Sequence, residues 1–385
     1  MSNHSDNSHF SPDTVFEIIR DLFCFEFILE IKRRMKNEEA KSYVVSFLKI
    51  LAPVYVHELA NAVNNLGLIS KDELLTAGDK KQVNYERQLS MHKTIALSTD
   101  AQKALTDMGI EFNRKVYDIN IVICNGKLYD LNFESQIASI HDFDFWNFLF
   151  NIPQTVLNGI FKTVSPDFSL EAFYHAKEMQ IDSIARKLDK SLSLSRYSYS
   201  AYRLFQNMHD LEESDKVLIL YRYRMVTSLS IISSIFPNFS AKVQGGRVID
   251  MDSFLQKYRA IVIHILGDEL KKLDTPFSRR IKADIQSHIN DESFFRLNRK
   301  LRNNIHYEKT ESISEEEAQI ISKNQLLYLS IFERHFVSST NICIDKECQT
   351  MTGFSKAYYA SGISREQLDR YYYYYYLKHF LTGKI

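Results

Sequence analysis

Glycine and proline are scarce in this chain, at 11 and 6 of 385 residues. An all-β sandwich needs more turn residues than that, so the shortage points to long helices joined by short connections. Cysteine is equally thin. Cys24, Cys124, Cys343 and Cys348 are scattered, and the nearest two have four residues between them instead of the two of a zinc knuckle. That set reads as reduced thiols in a cytoplasmic protein, where a disulfide would not persist. Net charge is missing as well: 48 Lys+Arg balance 48 Asp+Glu, which removes the global field of a general nucleic-acid or membrane-surface binder. The most apolar stretches, 43–56 and 217–236, are broken by Lys49, Arg222 and Arg224, so neither supplies the ~20 residues of a membrane span. Residues 1–12 carry no basic region followed by an apolar one, which argues against a secretory signal and for a disordered tail. Glycine-rich phosphate loops, nucleophile elbows and the paired histidines of zinc proteases are absent, so no cofactor and no metal is expected.

What is present is helical periodicity. Val15, Ile18, Ile19, Leu22, Phe23 and Phe27 recur at three- and four-residue steps, as do Val44, Val45, Leu48 and Leu51 up to the expected break at Pro53. Ser70 with Glu73 is a capping-box signature, and Gly67 and Gly109 stand where helices commonly stop. The character changes once, where β-rich runs flank Asn125-Gly126. That dipeptide tolerates the positive φ of a type I′ turn and predicts a hairpin over 116–133, with strands at 116–124 and 127–133, covering the helices before it. Helical patterning then returns, with helices expected over 169–191, 198–211, 215–236, 252–273, 277–307, 315–337 and 364–381. The fold class is therefore mainly α. It divides into the tail (1–12), an N-terminal helical domain with the hairpin (13–150), a C-terminal helical bundle (151–340) and a Tyr-rich helical tail (341–385). Six consecutive tyrosines, Tyr371 to Tyr376, cover every side of that last helix, which either docks on the body or self-associates.

From Arg296 the chain reads Arg-Leu-Asn-Arg-Lys-Leu-Arg-Asn-Asn-Ile-His-Tyr-Glu-Lys. On a helix, Arg296, Arg299, Arg302, Asn303 and His306 fall at steps of three and four and share one face. That face is cationic and ends in one imidazole, while Phe294, Phe295, Leu297, Leu301 and Ile305 are left to pack inward. A polar loop over 308–313 follows. Ser314 with Glu317 then caps a helix carrying Ile320, Ile321, Leu327, Tyr328, Ile331 and Phe332. A plainer account of the same residues is that cations gather at helix C-termini and asparagine where helices stop.

An Arg-Asn pair closing one helix, a histidine shortly after, a polar connection and a Ser-Glu-Glu-Glu start to the next helix resemble the HEPN superfamily over about residues 195–340. Its motif is an arginine, four to six residues and a histidine, with a polar residue after the arginine. Arg299 has the spacing to His306 but is followed by Lys300; Arg302 has the following Asn303 but only three residues before His306. The resemblance implies a HEPN-like bundle and metal-independent cleavage of RNA, in which the ribose 2′-hydroxyl attacks the adjacent phosphate. His306 would be general acid or base, Arg302 or Arg299 would hold the phosphate with a planar fork, and Asn303 would orient them. It implies a homodimer with a composite cleft, in an effector like those of toxin-antitoxin or phage-defence systems, with a protein antitoxin or trigger acting on the N-terminal half. The alternative is a non-catalytic dimerisation or binding scaffold for a protein or nucleic-acid partner.

Three weaker constellations sit elsewhere. Asp118, Glu134 and Gln136 resemble the acidic core of a restriction-type nuclease but lack its flanking α/β pattern. A winged-helix reading would place a recognition helix at 100–108, where Lys103 is the one cation. His141, Asp142 and Asp144 beside Trp146 form an aromatic-rich turn without a second ligand pair.

Overall fold

The computed structural model describes residues 12–38, 40–41, 44, 58, 61–62, 64, 118–125, 127–132, 170–200, 207–235, 240–242, 248–289, 292–304, 312–342 and 349–350. The expectations for residues 1–11 of the tail, the winged-helix segment, Glu134, Gln136, the His141 turn, His306, Cys343, Cys348 and the six tyrosines lie outside those residues, while Pro12, placed in the tail, is the first residue of a helix. Among the described residues the fold is mainly α, and no helix is long and apolar enough to cross a membrane.

The first helix, α1 (Pro12–Arg34), buries Ile18, Ile19, Leu22, Phe23 and Phe27, as its spacing predicts. It also buries Phe25, Ile28 and Leu29, so apolar contact extends round most of its circumference. Strands β1 (Asp118–Cys124) and β2 (Lys127–Asn132) form the expected hairpin, with Asn125 at φ 52 in the turn. Next come α2 (Leu170–Ser191) and β3 (Leu194–Ser200). They are followed by α3 (Glu213–Ile235), the ribbon β4 (Ser240–Lys242) and β5 (Val248–Asp250), and α4 (Met251–Lys272). The chain ends its described part with α5 (Pro276–His288), α6 (Glu292–Asn303), α7 (Glu315–Thr340) and the short β6 (Gln349–Thr350).

Three expectations change. The hairpin is part of a larger sheet: β3 pairs antiparallel with β1, and the order is β2-β1-β3-β6. Residues 198–200 are therefore strand, not the start of a helix at 198; within β3 only Tyr197-Ser198-Tyr199-Ser200 shows the period of two that a strand favours. Asn125 fastens this join, its amide donating to the Ser193 carbonyl (2.8 Å) and its side-chain oxygen accepting from the Ser193 amide (2.8 Å). The single helix expected over 277–307 is two, α5 and α6, with Ile289 buried between them. Asn290-Asp291 ahead of Glu292 is the chemistry of a new helix start. Most of the helical stretches that the hairpin is expected to cover lie outside the described residues; among those described, β2 packs against α3, where the Tyr223 hydroxyl donates to the Leu128 carbonyl at 3.1 Å.

Helix α4 is the centre of the bundle, touching α1, α3, α6 and α7. Asp250 caps it by accepting from the Ser253 amide at 2.6 Å. Its polar residues are buried in pairs. Lys257 Nζ lies 2.6 Å from both Asp21 and Glu17 of α1, and Arg20 of α1 joins the same two carboxylates. Arg222 of α3 makes a two-pronged bond to Glu269, at 2.9 and 2.6 Å. Arg259 is fully buried and donates to Asp252 (2.7 Å), Gln325 (3.0 Å), Ser233 (3.0 Å) and Ser322 (3.2 Å), tying α3, α4 and α7 together.

Gly267 lies within α4, near Tyr328 of an aromatic run of Phe294, Tyr328, Phe332 and Phe336. A Cβ added there would stand 3.6 Å from the Tyr328 hydroxyl, an ordinary contact. Gly267→Ala is expected to stabilise the protein by about 0.5–1 kcal/mol through the restricted unfolded chain, read as a raised denaturation midpoint. A lowered midpoint would mean that this approach is tighter than the backbone indicates.

Candidate functional site

The amphipathic reading of α6 holds for most of its residues. Phe294, Leu297 and Leu301 are buried, the two leucines packing with Ala260 of α4 and Ile321 of α7. Asn298 locks the helix in place, its amide donating to the Ala260 carbonyl at 3.2 Å and its oxygen accepting from Gln325 at 2.9 Å. Phe295 departs from the expectation: it is 42% exposed and meets Tyr328 by its edge, because it stands one step round from the buried stripe. The polar face is as predicted, with Arg296, Arg299 and Asn303 exposed and Arg302 half-buried. Residues 312–314 lead into α7, whose capping box is formed: Ser314 Oγ accepts from the Glu317 amide (3.1 Å) and Glu317 accepts from the Ser314 amide (2.9 Å).

Arg302 and Asn303 are brought together, the Arg302 guanidinium donating to Asn303 Oδ1 at 2.6 Å and 3.2 Å. A further residue belongs to the site. His264 of α4 has its Nε2 2.6 Å from Arg302 Nη1, and Asp268 Oδ2 lies 3.3 Å from the same nitrogen. Burial and the Arg302 charge push the His264 imidazole below its ordinary value of 6.5, with Lys271 and Arg299 adding to the effect and Asp268 opposing it. The imidazole is therefore neutral near pH 7. The sequence signal for it is a His–Asp pair at helical i,i+4 spacing, one step off the buried stripe of α4.

No carboxylate pairs with Arg299 or Arg302 among the described residues, so their charge is available to an anion. Arginine at the solvent edge, held in place by a neutral imidazole, can bind a phosphodiester. Among the described residues no group of three or more His, Cys, Asp and Glu side chains is placed to hold a metal ion. The thiols of Cys24 and Cys124 are buried; burial pushes Cys124 up to about 11, which keeps it protonated and unreactive. No family model, no curated protein and no solved structure matches this chain, so the chemistry rests on the residues themselves.

Proposed function

We propose that the exposed face of α6 is the phosphate-handling surface of an endoribonuclease of HEPN type, acting as a toxin or phage-defence effector. One observation carries the reading: Arg299 and Arg302 reach solvent without a carboxylate partner among the described residues, next to an imidazole kept neutral. In this reading a guanidinium holds the scissile phosphate while a base removes the proton of the ribose 2′-hydroxyl. The 2′-oxygen bonds to phosphorus, the bond to the 5′-oxygen breaks, and that oxygen takes up a proton from His306 acting as general acid. The products are a 2′,3′-cyclic phosphate and a 5′-hydroxyl, and nothing is oxidised or reduced. Two copies meeting along α6 would enclose the RNA between two such faces.

A non-catalytic dimerisation scaffold is the second reading, favoured by the exposure of Phe295, Ile320, Leu326 and Val337 on α6 and α7. The deciding test incubates the full chain with total RNA and tRNA in the presence of EDTA and maps the new ends. Cleavage leaving cyclic phosphates supports the nuclease. Intact RNA together with a stable dimer in light scattering supports the scaffold.

A further inference from the structure

A guanidinium can only donate, so the 2.6 Å contact between Arg302 Nη1 and His264 Nε2 requires Nε2 to be the acceptor, with the ring proton on Nδ1. The carboxylate of Asp268 can only accept, so it gains nothing from the same nitrogen at 3.3 Å while the ring is neutral. A proton added to Nε2 reverses both relations: the nitrogen can then donate to Asp268 and can no longer accept from Arg302. The charged groups facing His264 are Asp268 and Lys271 from α4 and Arg299 and Arg302 from α6, with Tyr328 of α7 close to Asp268. Three of these are cations, so a charged imidazole would also repel the arginine it had released.

We propose that His264 is the positioning residue for Arg302: its neutral Nε2 holds the guanidinium at the solvent end of α6, and protonation hands that nitrogen to Asp268 and lets the arginine go. The consequence for catalysis rests on the ribonuclease reading; the latch itself does not. In the latched state Arg302 is fixed from two sides, by His264 and by Asn303, which spares the ordering of a long side chain when a phosphate arrives. Acid releases it, so cleavage should fall on the acid side with the titration of His264, a residue that need not touch RNA. Binding of RNA need not weaken in step, because the protonated ring adds a positive charge to the same surface.

The latch is tested in the full chain by nitrogen NMR of histidine-labelled protein, following the ring of His264 and the guanidinium of Arg302 across the pH range. The expected result is the Nδ1–H tautomer at neutral pH and a midpoint below 6.5. Arg302 signals should move at the same midpoint, which should rise in Arg302→Gln and fall in Asp268→Asn. An Nε2–H tautomer, or Arg302 signals indifferent to the His264 titration, would overturn the proposal. The catalytic arm compares kcat for RNA cleavage in His264→Ala and His264→Gln, since the glutamine oxygen can take the place of Nε2 and does not titrate. Alanine should lower kcat about 10²-fold, while glutamine should restore it and remove the acid limb of the pH profile. Wild-type kcat and an unchanged acid limb in His264→Ala would refute the positioning role. If wild-type protein cleaves no RNA, the ribonuclease reading fails and the NMR result still decides the latch.

Discussion

Arg302→Ala is expected to lower RNA cleavage by about 10²–10³-fold, the cost of removing one preorganised donor from a developing phosphorane charge. Stability should hardly change, because Arg302 is half exposed and its partners, His264 and Asn303, also reach water. Exposed polar contacts of this kind contribute about 1 kcal/mol or less. His306→Ala should cost about 10²–10⁴-fold, the range of general acid–base catalysis. The combination distinguishes chemistry from architecture, since a helix that merely ends in cations would lose neither its fold nor any activity. Cleavage rates of folded variants, each with the wild-type circular dichroism spectrum, provide the measurement. Full activity in Arg302→Ala and in Arg299→Ala would remove the α6 face from the mechanism.

The second large effect lies in the core. Arg259→Ala is expected to destabilise the protein by about 3 kcal/mol, because it leaves Gln325 and Ser233 buried without that donor and the partly buried Asp252 without its countercharge. That is a large part of the 5–15 kcal/mol typical of a whole domain. Its pH dependence carries a sign that can be checked. Burial raises the Asp252 carboxyl, but the Arg259 charge and hydrogen bond, with further hydrogen bonds from Gln256 and Ser322, more than offset this and leave it below the ordinary 3.8. In the wild type the contribution is thus present above 3.8 and lost as the pH falls through the lowered value. Without Arg259 the carboxyl rises, held down only by the Gln256 and Ser322 hydrogen bonds, so the variant should lose less stability than the wild type as the pH falls. Urea denaturation at several pH values tests both statements, and parallel pH profiles for the two proteins would contradict the account.

Helices α2, α3, α4 and α7 were legible to within three residues at either end, because each carries an apolar stripe with the helical period and several have clear caps. The hairpin was legible from Asn125-Gly126 alone. Strand β3 was not, since Leu194 is its one aliphatic residue and its alternation covers only Tyr197 to Ser200. The break at Ile289 shows in the sequence only as a change of phase: the four-residue steps of Phe277, Ile281, Ile285 and Ile289 give way to a five-residue step at Phe294, which turns the α6 stripe away from that of α5. On the site, the exposed face of Arg296, Arg299 and Asn303 followed from spacing. His264 did not, because its meaning comes from a partner 38 positions away, and no local pattern encodes that distance. The same holds for Arg259, whose partners lie on three helices; a buried arginine inside an apolar stripe looks like an exposed one until the neighbours are in place.

The position of β1 between β2 and β3 has a consequence for synthesis. Its first partner follows after one turn, whereas its second emerges only after all of α2 has been made. At the ~5–20 residues per second of a ribosome, the edge that β3 will cover stays open for roughly 4–14 s. That edge presents the backbone of Ile119 to Ile123, an apolar strand free to pair with any other extended chain. The nascent chain is therefore more prone to strand-to-strand association than the finished protein. Synonymous codons that slow translation between residues 125 and 193 should lower the soluble yield without altering a single contact of the folded molecule.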